Sequence, residues 1–71
     1  MLKTYDIFKL IDNNKNMLGK RFKMVGGLEG DYKKIGDIAI VVEYFGLISL
    51  GSEKYDNIRI DLNGFEEWEE I

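Results

Sequence analysis

Nine residues near the middle of the chain, Asp37 to Phe45, constrain its fold more than any other segment. Ile38, Ile40, Val42 and Tyr44 alternate onto one face of a strand, with Ala39, Val41 and Phe45 on the other. A strand that is apolar on both faces must be covered on both, so it belongs at the centre of a sheet. Gly46 then marks a tight turn into a second strand, Leu47 to Leu50, and Gly51-Ser52 opens the next connection.

Other strands follow from the same period. Phe22 and Met24 alternate with Arg21 and Lys23, which predicts a strand over Lys20 to Val25 with one solvated face, closed by Gly26-Gly27. Residues 28–37 hold Gly30, Gly36, Asp31, Lys33 and Lys34 and are expected as a polar loop. Ile58, Ile60 and Leu62 against Asn57, Arg59 and Asp61 predict a half-exposed strand that ends at the Asn63-Gly64 turn signal.

The two ends of the chain are patterned differently. From Thr4 to about Asn13 the residues Tyr5, Ile7, Phe8, Leu10 and Ile11 recur at helical spacing, with Thr4 as a cap and Asp6 in the first turn. A short helix is expected there; the competing pattern is a strand on Tyr5, Ile7 and Ile11. Asn13, Asn14 and Asn16 end that element. At the C-terminus, Asn63 with Glu66 three residues later resembles a capping box, while Trp68 and Ile71 suit a short final strand. A one-turn helix leading into that strand satisfies both signals.

Length and composition set the scale. Seventy-one residues suffice for a single core and one domain, with residues 1–16 as helix and turn and 17–71 as sheet. With neither Cys nor His, disulfides and structural zinc are excluded, so stability of about 4–10 kcal/mol must come from packing, or from a homodimer interface. The expected class is mainly β (α+β): a short N-terminal helix followed by a four- to five-stranded antiparallel SH3-like barrel or curled sheet. The alternative is an open antiparallel sheet with the helix across one face. Asp6, Lys9 and Asp12 interrupt every apolar stretch at the N-terminus and no run is long enough for a bilayer, so no membrane association and a cytoplasmic location are expected.

The segments FKLIDNNKNMLGKRFKMVGG, KIGDIAIVVEY and FEEWEEI together resemble the layout of small uncharacterised SH3-like proteins encoded by bacteriophages and prophages of low-GC bacteria. In those, a short helix leads into a sheet that starts with a basic strand and ends in a Trp-containing acidic segment. The resemblance implies a phage accessory or host-interaction protein and assigns no residue a role.

Familiar site chemistries fail one by one. Asp12, Asn14 and Asn16 match the first three ligands of a calcium loop, but Met17 stands in the glycine position and Lys23 in that of the bidentate glutamate. Gly26, Gly27 and Gly30 lack the Gly-Lys-Ser/Thr ending of a phosphate loop. Ser49 and Ser52 have no histidine to activate them. Paired carboxylates could act on a sugar, yet a chain of this size has little room for the cleft. Neither an enzyme nor a cofactor or metal site is expected.

Charge is distributed unevenly instead. Residues 1–34 sum to +4 and residues 35–71 to −7. Lys20, Arg21, Lys23, Tyr32, Lys33 and Lys34 form a candidate basic patch for nucleic acid, or else solvated faces. Phe65, Glu66, Glu67, Trp68, Glu69 and Glu70 form a candidate acidic and aromatic surface for a protein partner, or else Trp68 is core with solvating glutamates around it. The expected function is a non-enzymatic binding protein that docks on a host or self protein. Its alternatives are a nucleic-acid-binding module and a self-assembling structural subunit.

Overall fold

A computed structural model describes residues 1–13 and 15–71; Asn14, the middle residue of the calcium-like pattern, lies outside the described residues. The described chain is mainly β. Strand β1 (Leu2–Lys3) precedes helix α1 (Thr4–Asn13), and β2 (Arg21–Gly26), β3 (Ile38–Tyr44), β4 (Leu47–Ser52), β5 (Ile58–Arg59) and β6 (Glu67–Glu70) follow. They form one antiparallel sheet in the order β1-β6-β2-β3-β4-β5. The sheet does not close on itself, so β1 and β5 are its edges.

The sixth strand is one short addition at an edge, β1, and the strand at the other edge, β5, is shorter than expected. Two residues before the helix pair with the C-terminal strand, Leu2 opposite Trp68 and Lys3 opposite Glu67. The alternation expected over Ile58 to Leu62 is paired only at Ile58 and Arg59, followed by one more bond from Ile60 N–H to the Leu50 carbonyl (2.9 Å). β3 is interior, as its two-sided apolar pattern requires.

Directly opposed residues share a face, and register therefore locates the core. Phe22 faces Ala39, Met24 faces Trp68, and Val41 faces Leu50, all on one side and all buried. Ile7 and Ile11 of α1 pack into the same cluster. Ile38, Ile40, Val42 and Tyr44 line the other side and stay half exposed. Trp68 is 1% exposed, which settles it as core.

Both chain ends depart from expectation in instructive ways. The helix is present, but the Thr4 hydroxyl bonds to Glu66 and Trp68, and the reach back to the preceding chain is made by Asp6, whose Oδ2 accepts from Lys3 N–H (3.0 Å). At residues 63–66 the capping-box bond forms without a helix: Glu66 Oε2 accepts from Asn63 N–H (2.8 Å), and Asn63 Oδ1 accepts from Phe65 N–H (2.8 Å). The chain is instead drawn into β6. Gly27, at φ 100°, makes room for this, because a Cβ there would lie 2.9 Å from Glu66 Cα.

No helix among the described residues is long and apolar enough to cross a membrane.

Candidate functional site

The two charged clusters of the sequence are brought together rather than displayed apart. β6 lies between β1 and β2, so the acidic strand meets basic residues on both sides. Lys3 pairs with Glu67 (3.5 Å), Lys20 with Glu70 (3.7 Å), and Lys23 stands opposite Glu69. Arg21 donates two hydrogen bonds to Glu53 (2.5 and 2.8 Å); this contact raises the Arg21 pKa and lowers that of Glu53. Lys34 remains exposed, and Tyr32 packs edge-on against Tyr55 with ring centres 5.1 Å apart. The charge separation along the sequence is thereby partly cancelled by contacts between its two halves.

Glu66 and Lys33, one from each cluster, are buried together. Glu66 Oε2 accepts from Lys33 Nζ (2.5 Å) as well as from Asn63, and Oε1 accepts from the Thr4 hydroxyl (2.8 Å) and Gly64 N–H (3.1 Å). The Trp68 indole N–H donates to Thr4 Oγ1 (2.7 Å), and Thr4 N–H donates to the Glu66 carbonyl (3.1 Å). Burial alone would raise the Glu66 pKa. The Lys33 ammonium, then the Asn63 amide and the Thr4 hydroxyl, outweigh it and hold the carboxyl down to about 2. A carboxylate so fully supplied with donors has no capacity left for a substrate. It is a clasp joining α1, the 27–37 loop and the start of β6.

The open concavities of the structure lie on the opposite flank. Three open concavities of about 370, 400 and 460 Å³ share Phe8 of α1 as a wall and run together as one seam beside β4. Leu47, Ile48 and Ser49 line it from β4, Tyr44 and Phe45 from the end of the β3–β4 hairpin, and Ile60 and Leu62 from the chain after β5. Asp12 stands at one end of the seam and Asp61 at the other, with Arg59 beside it. Volumes of this order suit ligand side chains; the two smaller concavities are mostly apolar, while the largest is more polar, with Ser49, Arg59 and Asp61 in its wall.

Phe45 is the residue in this seam that folding does not explain. It is fully exposed and sits at φ 49°, followed by Gly46 at φ 84°. Two successive positive φ values describe the tight hairpin turn whose first position favours Asn, because a bulky residue there costs roughly 1–2 kcal/mol. Leu47, next to it, is 70% exposed. Sequence reasoning placed Phe45 on the strand face of Ala39 and Val41 and missed this site; the signal that could have found it is the dipeptide Phe45-Gly46, an aromatic residue at the strained position of a turn that Gly46 identifies.

Among the described residues no three His, Cys, Asp or Glu side chains are grouped to hold a metal ion. Comparison of the chain with models of protein families, with curated proteins and with solved structures finds no significant match to any of them.

Proposed function

We propose that the chain is a non-enzymatic protein-binding module whose seam, walled by Phe8, Phe45, Leu47 and Ile48, seats apolar side chains of a protein partner. The observation that carries this reading is Phe45. A fully exposed aromatic at positive φ lowers the stability of the free fold and is explained by what it contacts when a partner arrives. The open, apolar seam beside it supplies the receiving surface.

The sheet is read as SH3-like and left open at this seam: β2 to β5 run as a meander and β6 returns to pair with β2. The setting implied by the phage-protein resemblance makes the partner a host or self protein met in the cytoplasm. Nucleic acid is the weaker alternative, because Lys20, Arg21 and Lys33 are engaged by carboxylates.

The test is a selection of peptides from a randomised library on the immobilised chain, with Leu47→Lys as the counter-target. Leu47 is exposed, so that variant keeps the fold. Selected peptides should bind the parent chain at least about tenfold more tightly than the variant, an energy of about 1.4 kcal/mol, and should shift the NMR signals of Phe8 and Phe45. Failure to enrich any peptide, or enrichment of peptides that map to the β2–β6 flank, overturns the reading.

A further inference from the structure

The seam is also the place where the sheet's backbone is left unfinished. In an antiparallel ladder, alternate residues of a strand turn their N–H and C=O groups to the same neighbour. The Leu50 carbonyl accepts from Ile60 on the β5 side of β4, so Ile48, two residues earlier, directs its backbone groups to that side as well. β5 pairs only with Gly51 and Ser52, and among the described residues no strand lies beside Leu47, Ile48 and Ser49. About 10 Å of strand edge, at ~3.3 Å per residue, is therefore open between the hairpin turn and Ile60.

The other free edges of this sheet are protected. β1 and β5 are two residues long, the part of β6 that extends past β1 is Glu69-Glu70, and β3 beyond its bond with Lys20 carries Glu43 at its edge. Short strands and charges are the usual guards against strand addition. Along β4 the flanking residues are Leu47 and Ile48, with Phe8 across the seam and Phe45 at its end. Open main-chain groups with apolar walls on each side fit an extended backbone whose alternate side chains fill those walls. Asp12 favours a basic residue at that end of the occupant, whereas at the other end Asp61 and Arg59 stand together and present both signs.

Resting on the reading of the seam as a protein-binding site, we infer that its occupant is an extended, apolar strand with a basic residue at the Asp12 end, supplied by another protein, that adds to β4 along Leu47, Ile48 and Ser49. The main-chain bonds of Ile48 set the register of that strand. Phe8 on one side and Tyr44 with Arg59 on the other select its alternate side chains.

The experiment uses the library-selected peptides and their backbone N-methylated analogues, with amide exchange read on the full chain. N-methylation at alternate positions should weaken binding by at least about tenfold in one phase of alternation, with the other phase much less affected. The Ile48 amide should exchange quickly in the free chain and become protected in the complex. Seam-binding peptides that are insensitive to N-methylation, or that bind as helices, overturn the added strand while leaving the seam as the binding site. An Ile48 amide already as protected as its interior neighbours overturns the open edge. Sedimentation of the free chain as a dimer that Leu47→Lys dissociates would assign the seam to a second copy and overturn the inference as well.

Discussion

The two flanks of the sheet solve the problem of a small core in opposite ways. On the β1–β6–β2 flank, Glu66 and Lys33 are buried together and every oxygen of the carboxylate is supplied, while Glu67 and Glu70 pair with lysines across neighbouring strands. On the β4 flank the edge ends early, Phe45 and Leu47 stand in water, and a phenylalanine occupies a backbone position suited to asparagine. Where charge is dense in the sequence, the structure is self-satisfied. Where the sequence is apolar and bland, the structure is unfinished, and recognition is expected there.

The largest expected effect breaks the closed flank. Glu66→Ala removes an acceptor from Lys33, Thr4, Asn63 and Gly64 at once and leaves a buried ammonium without its counter-charge. A loss of about 3–5 kcal/mol is expected, comparable with the whole stability of such a domain, and read as collapse of the urea unfolding transition. A fully folded, cooperative variant would show that the clasp is incidental.

Acid provides the next test of the same flank. The Glu66 pKa is near 2 in the folded chain, below its ordinary value of 4.5, so the unfolded chain takes up the proton first. Its contribution is complete above about pH 4.5, declines as pH falls, and is gone below about pH 2. About 3 kcal/mol of stability should disappear over that window, and Glu66→Gln should flatten this limb of the urea midpoint against pH.

The smallest of these effects has the opposite sign and belongs to the open flank. Phe45→Asn places the favoured residue in the turn and removes a fully exposed aromatic ring whose centre lies 6.3 Å from that of its neighbour Tyr44. It should raise stability by about 1 kcal/mol in the same urea measurement while weakening peptide binding at the seam. A variant that loses stability would mean that Phe45 supports the hairpin rather than a partner.

Much of the fold was legible in the strand periods. The two-sided pattern from Ile38 to Tyr44 placed β3 inside the sheet, Phe22 and Met24 marked the buried side of β2, and Gly46 marked the hairpin. These signals are local, and a strand's side-chain period survives whatever it pairs with. The contacts of the charged flank were much less legible. Thr4 is 62 residues from Glu66 and Lys33 is 33 residues from it, so no spacing rule connects them. The basic patch and the acidic segment looked separate because sequence distance hides the fact that β6 inserts between β1 and β2.

The chain's own letters thus determined that it has no Cys or His chemistry, that it holds one small core, that its strands are joined by glycine turns, and that an aromatic precedes Gly46. Only the tertiary structure decided that part of the charge asymmetry is paired, that Trp68 is core, and that the edge of β4 is left unpaired across from Phe8. The reason is physical: side-chain period is set by neighbouring residues, whereas charge pairing and the completion of a sheet depend on which distant strands lie side by side.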